Sequence, residues 1–349
     1  VRFYVVCIML HKFVVDNLGI PYILTVPVMV MLIWFYTRKG GIKTLVWTDT
    51  FQTLCMFSAL ILIIYYTIKC LDFTPMEAYH AICDSKYSQI FVFDDWVSRQ
   101  NFWKQFLSGI FVVIVMTGLD QDMMQKNLTC KTLRDAQKDM CTYGFAFVPA
   151  NLLFLALGIL LILLAQKQQM PFPESPDDLL PMFAASGYMG NMVVVFFTIG
   201  IVAASFSSAD SAITAITTSI CVDIMDSQKD EKLRKYTHLG VAILFVIFII
   251  LFKQINSTSV IDAIYIICSY TYGPLLGIFG FGIFTKRRAN DQVTPYIAIL
   301  SPIICYAIDW YSSHHLGYKF GYELLMLNGL ITFSGLYLFS HKNNAKICA

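Results

Sequence analysis

Runs of eighteen or more predominantly apolar residues follow one another along almost the whole chain, far more than a soluble core can use. A run of that length crosses the hydrocarbon of a bilayer as a helix. Within the bilayer every backbone N–H and C=O needs a partner inside the protein, so continuous apolar runs of this kind span as helices. Of the 349 residues, 57% are hydrophobic and only 14% charged, too few charges to cover a soluble domain of this size. The chain therefore reads as an all-α polytopic membrane protein with the lipid bilayer as a partner.

The expected spans are residues 1–15, 19–37, 44–69, 104–125, 140–166, 188–223, 235–253, 258–285, 292–311 and 318–340, about ten transmembrane helices. The connections alternate in charge. Arg38, Lys39 and Lys43 follow the second span, and the next loop, 70–103, carries Asp72, Glu77, Asp84, Asp94 and Asp95. Lys126, Lys131, Arg134 and Lys138 then precede a loop with Glu174, Asp177 and Asp178; Lys229, Lys232, Arg234 and Lys235 come next, and later Lys286, Arg287 and Arg288. Basic connections stay on the cytoplasmic side, so the ends of spans two, four, six and eight, and the C-terminus, are expected inside the cell membrane. The chain opens at Val1 within an apolar run, with neither an initiator methionine nor a cleavable signal, and is expected to have lost its natural start.

The net charge of +2 has no basic stripe, which argues against nucleic acid as a partner. The ten cysteines form no CxxC pair and no metal-ligand spacing with histidine. A disulfide between Cys70 and Cys83, both in one expected outer loop, is left open. No Ser/His/Asp arrangement or HExxH stretch is present, so no enzyme and no cofactor are expected.

Four polar clusters interrupt the apolar runs. The span 188–223 carries Ser207-Ser208-Ala209-Asp210-Ser211 in its middle. An acid inside a bilayer costs about 2.5–3.5 kcal/mol and is kept where it meets protein, water or an ion. At helical spacing Ser207, Asp210, Ser211, Thr214 and Thr218 form one stripe of hard oxygens, suited to Na+ rather than to a transition metal. Asp49 is the second acid, in Trp47-Thr48-Asp49-Thr50-Phe51-Gln52, either an interfacial acid met by water or a cation ligand facing that stripe. Gly118-Leu119-Asp120-Gln121-Asp122 closes the fourth span, as a local break open to a solute or as an ordinary helix end. Tyr270-Thr271-Tyr272-Gly273-Pro274 places a proline inside the eighth span, as a cavity-lining hinge or as a packed kink, with Tyr265, Ser269, Tyr270 and Tyr272 as candidate solute contacts.

Together these stretches resemble the sodium/solute symporter family, which includes sodium–sugar, sodium–proline, pantothenate and sialic acid transporters. Gly40-Gly41 with Trp47-Thr48-Asp49-Thr50-Phe51-Gln52 is similar to its GG…(W/Y)TDxxQ motif. Asp120-Gln121-Asp122-Met123-Met124-Gln125-Lys126 is similar to its (D/N)Qxx(V/I)QR motif, and Ala204 to Ser211 with Asp223-Ile224 to its AAxxSSxDS…D(I/L) helix. Gly273 to Phe279 with Lys286-Arg287 is similar to the family's PxxxxFxxGxF(W)KR helix end.

The resemblance implies a LeuT-like inverted-repeat transporter fold, with 1–349 as a single transmembrane transporter domain lacking the first family helices. It implies a sodium-coupled symporter of a small organic solute (a sugar, amino acid, sialic acid or carboxylate), working by alternating access with Na+ as coupling ion. A proton-coupled carrier of the same fold, or the solute-sensing domain of a signalling protein, is the alternative. Carried over by motif, sodium is bound by the carbonyl of Ala204 and the hydroxyls of Ser207 and Ser208. A second cation site falls on Asp49, Asp210 and Ser211, with Ser207 beside them; the two acids there are open to sharing a proton. Substrate contacts fall on Asp120, Gln121, Tyr265, Ser269 and Tyr270.

Overall fold

A computed structural model describes residues 4, 7, 8, 10, 11, 15 and 19–342, other than 99, 174–175, 228–229, 256–259 and 319. The side chains of 36–46, 122, 125, 177, 205, 208, 254–255, 260–265 and 342 also lie outside the described structure. The expected first span falls mostly on residues that are not described.

The described chain is helical almost throughout. In order come α1 (Tyr22–Cys70), α2 (Pro75–Cys83), α3 (Phe102–Gly118), α4 (Gln121–Asn127), α5 (Leu133–Lys167), α6 (Leu179–Ala185) and α7 (Asn191–Thr218). A π-helical turn, Ser219–Ile224, extends α7. Then follow α8 (Glu231–Ile255), α9 (Val260–Phe284), α10 (Thr294–Tyr311) and α11 (Leu324–Leu338). Two residue pairs, β1 (Arg287–Arg288) and β2 (His341–Lys342), form a small antiparallel ladder behind α9 and α11.

Five stretches are long and apolar enough to cross a membrane among the described residues: Trp47–Cys70, Leu133–Lys167, Asn191–Ile224, Glu231–Lys253 and Ile266–Phe284. Tyr22–Phe35, Phe102–Gly118 and Leu324–Leu338 are apolar but shorter. These helices carry large hydrophobic side chains on their outer faces; Phe145 is 82% and Ile243 53% exposed. Helices that are apolar outside as well as inside belong in lipid.

One expected boundary is not where the sequence reading put it. The spans 19–37 and 44–69 belong to one helical element, α1, with no turn at 38–43. No proline lies between Pro27 and Pro75. Gly40 and Gly41 each cost a helix only about 1 kcal/mol relative to alanine, which does not end it. A shorter correction concerns the fourth span, which stops at Gly118 rather than running to 125. Cys70 and Cys83 are unbridged.

The chain divides into two compact units. The first comprises 1–88 and 125–260. In it α1 packs most extensively on α7, then on α8. Its core has two parts. Val26, Met29, Val30 and Ile33 of α1 meet Ala209 and Ile213 of α7 and Val241, Ala242 and Ile249 of α8. Leu60 and Ile63 of α1 meet Leu157, Leu160, Leu161 and Leu164 of α5 with Phe183, Met189 and Val193. Gly200 brings α7 close to α1: a Cβ there would stand 3.3 Å from Met56 Cγ.

The second unit comprises 89–124 and 261–349. Here α9 and α11 approach through small residues. A Cβ at Gly273 would lie 2.3 Å from Asn328, and one at Gly277 2.6 Å from the carbonyl of Gly329. With no solvent-driven force between helices in lipid, such close backbone contact is how they hold together.

Candidate cation and solute sites

Within the first unit, Ser207 of α7 donates its hydroxyl to Asp49 Oδ1 of α1. The other carboxylate oxygen, Oδ2, accepts from Lys126 Nζ of α4 at 3.0 Å. The two charged side chains are 29% and 27% exposed, so the pair is only partly screened by water. Asp49 is thus neither a bare ligand nor a solvated helix end. Sequence reasoning placed Ser207 and Asp49 on facing stripes, and the structure brings them together. It missed Lys126 as the partner of Asp49. The signal was present, because the motif that begins at Asp120 ends in a basic residue at fixed spacing.

One turn further along α7, Asp210 and Ser211 are 0% and 3% exposed. Among the described residues, neither carboxylate oxygen of Asp210 nor the hydroxyl of Ser211 has a hydrogen-bond partner. An ionised carboxylate buried without a partner costs several kcal/mol, so this group calls for a proton or a cation. Among the described residues no hydrogen bond joins Asp210 to Asp49. Further along α7, Thr218 of the stripe and its neighbour Thr217 donate back to the carbonyls of Thr214 and Ile213 at 2.8 and 2.7 Å. Their lone pairs remain, but their protons are used. Ala204 sits one turn before Ser208 on the same helix and is half-buried. The side chain of Ser208 lies outside the described residues.

The expected break at 118–121 is present within the second unit. α3 ends at Gly118, Leu119 caps it through its N–H to Val115 O, and α4 begins at Gln121. Asp120 therefore stands between two helices. Its Oδ2 accepts from the Tyr272 hydroxyl at 2.7 Å. Gln121 beside it is exposed. Tyr270 turns its hydroxyl to Asp309 Oδ2 of α10 at 3.3 Å. Ser269 is 2% exposed and is reached through its backbone, where Asn328 Nδ2 of α11 donates to Ser269 O at 3.1 Å and Tyr270 O at 2.9 Å. The side chain of Tyr265 lies outside the described residues. The expected solute set is thus divided: Asp120 is joined to Tyr272, Tyr270 to Asp309, and Ser269 is packed away. Asn328 and Asp309 had no motif to mark them.

Among the described residues no three His, Cys, Asp or Glu side chains converge on a metal position. Most of the polar side-chain atoms named above are oxygens, carried on helices with apolar outer faces. That defines a multi-pass α-helical membrane protein.

The chain belongs to the sodium:solute symporter family, whose profile matches residues 11–292. It is 25% identical over 280 residues to the human sodium-coupled monocarboxylate transporter 2, covering 71% of this chain and 42% of that protein. It is 24% identical over 305 residues to the sodium/sialic acid symporter NanT of Aliivibrio fischeri, covering 81% of this chain and 59% of that one. The chain thus spans about half the length of these relatives. Its fold matches a solved structure described as the substrate-bound outward-open state of a Na+-coupled sialic acid symporter. The TM-score is 0.77 at 18% identity, over 98% of this chain and 73% of the other. The family and these relatives are transporters, not enzymes.

Proposed function

We propose that this chain belongs to a sodium-coupled symporter that moves a small organic solute across the cell membrane by alternating access. The observation that carries the reading is Asp210: a buried acid with no partner, on the helix that also presents Ser207 to Asp49. A cation bound there offsets the burial of the charge, and membership of a sodium:solute symporter family supports Na+ as that cation.

In this reading the Ala204 carbonyl with the Ser207 and Ser208 hydroxyls holds one sodium, and Asp49, Asp210 and Ser211 form a second cation site. Lys126 competes with sodium for Asp49, so the second site fills only when the ion pair opens. Asp120 and Gln121 at the helix break, with Tyr265, Ser269 and Tyr270, form the solute site, to which Tyr272 is added because its hydroxyl reaches Asp120. About ten helices in a LeuT-like inverted repeat surround these sites as one transporter domain, with the C-terminus in the cytoplasm. Related proteins named for monocarboxylates and sialic acid support a carboxylate-bearing solute class.

Coupling is a linkage free energy, so sodium and solute must raise each other's affinity by the same factor. The test is uptake by the full-length protein in proteoliposomes, with monocarboxylates and sialic acid as candidate solutes. Uptake driven by an inward Na+ gradient and abolished when choline replaces Na+ is the expected result. Equal uptake in choline, or uptake driven by a proton gradient alone, overturns it.

A further inference from the structure

Pro274 lies inside α9 and carries no N–H. The carbonyl four residues earlier, Tyr270 O, therefore loses its helical donor. A side chain from another helix replaces it: Asn328 Nδ2 of α11 is 2.9 Å from Tyr270 O and 3.1 Å from Ser269 O. Gly273 admits this amide, since a Cβ there would come within 2.3 Å of Asn328 Cγ and Nδ2.

Asn328 is 0% exposed, and its amide oxygen has no hydrogen-bond partner among the described residues. An apolar side chain would fill the same space without burying an unsatisfied acceptor. What asparagine brings to this position is therefore its donor. The helix that bears it is braced: the Thr332 hydroxyl, one turn on, donates to Asn328 O at 2.9 Å and accepts from the Ser301 hydroxyl of α10 at 2.8 Å. The same turn of α9 also carries the links from Tyr270 to Asp309 and from Tyr272 to Asp120.

We propose that Asn328 is a positioning residue for the conformational change of transport. It holds the arm of α9 on the N-terminal side of Pro274, bearing Ser269, Tyr270 and Tyr272, in one orientation against α11. A helix that lacks a main-chain bond at a proline bends there readily, and one side-chain donor then decides whether it does. The bend moves the hydroxyl that Asp120 holds at the break between α3 and α4. This goes beyond the symport reading and rests on it only for what the bend serves.

The experiment uses Cys268, a partly exposed thiol on the same arm, as the single cysteine of the full-length protein in detergent. Its alkylation rate by N-ethylmaleimide is followed in sodium-free buffer. Asn328→Ala and Asn328→Leu, of nearly the same shape but with no donor, are expected to raise the rate about tenfold. Adding Pro274→Ala to Asn328→Ala restores an N–H to position 274, and is expected to bring the rate back within about threefold of wild type. If Asn328→Leu labels like wild type, or if Pro274→Ala leaves the Asn328→Ala rate unchanged, the proposal is overturned. A purely packing role for Asn328 predicts no rescue by a main-chain donor at position 274; it predicts additive damage. Sodium dependence of uptake tests the symport reading separately and has no bearing on these rate ratios.

Discussion

Asn328 Nδ2 lies 2.9 Å from the carbonyl of Tyr270, the one main-chain acceptor that Pro274 strips of its helical partner. The proline on α9 and the asparagine on α11 thus form one structural unit, although 54 residues of chain separate them in sequence (328 − 274). Gly273 completes it by leaving room for the amide.

Gly273→Ala tests that close approach. The added methyl would need the space held by Asn328, which is buried and cannot swing into solvent. Overpacking of this kind costs about 1–3 kcal/mol. The expected outcome is a lower apparent melting temperature of the purified protein, read by intrinsic fluorescence. Gly282→Ala, where a Cβ meets nothing within 4 Å, serves as the control and leaves the melting temperature nearly unchanged.

Asp49 and Lys126 should behave as a coupled pair. Removing either leaves the other partly buried without its counter-charge. Asp49→Asn and Lys126→Gln are each expected to lower stability, and the double variant to cost less than their sum. A coupling of about 1 kcal/mol suits an ion pair that is still partly hydrated. A double-mutant cycle on thermal stability measures it, and strict additivity would refute the pairing.

Asp210 should report the cation directly. A ligand that binds only the folded state raises its stability by RT ln(1 + [L]/Kd). Wild-type protein moved from choline to sodium buffer is expected to gain thermal stability. Asp210→Asn, neutral and of nearly the same shape, is expected to lose more than half of that gain. An equal sodium shift in both proteins would remove Asp210 from the cation sites.

Helix α2 carries a pH-sensitive cap. Thr74 accepts from Glu77 N at 3.3 Å, and its own N–H donates to Glu77 Oε2 at 2.7 Å. The Thr74 backbone N–H first, and its hydroxyl second, hold the Glu77 carboxyl below its ordinary value of 4.5. A depressed carboxylate stabilises the folded form above the unfolded value and stops doing so as pH falls through the folded one. Amide exchange at 77–79, compared with the intrinsic rate at each pH, is expected to lose protection progressively as pH falls below the ordinary carboxyl value of 4.5. Glu77→Gln should show less of this pH dependence.

Much of this protein was legible in its sequence because the relevant physics is local. Apolar runs long enough to span a bilayer, acids too costly to sit there idle, and a glycine followed by acids at a span end are all readable one segment at a time. They located α5 and α7 through α11, the break at Leu119–Asp120 and the oxygen stripe of α7. The family motifs then ordered these pieces. What failed locally was the turn at 38–43, where two glycines proved too weak a signal to stop a helix.

Partner choice was not legible. Ser207 donates to Asp49, Lys126 comes to the other oxygen of that carboxylate, and Asp210 is left buried and unpaired. Asn328 finds the carbonyl that Pro274 abandons. The sequence by itself determined which groups are expensive to bury and on which helix each one rides. Only the tertiary structure decided which group answers which, because a hydrogen bond depends on ångström-scale approach between helices distant in the chain, and that approach is set by packing at residues such as Gly200 and Gly273.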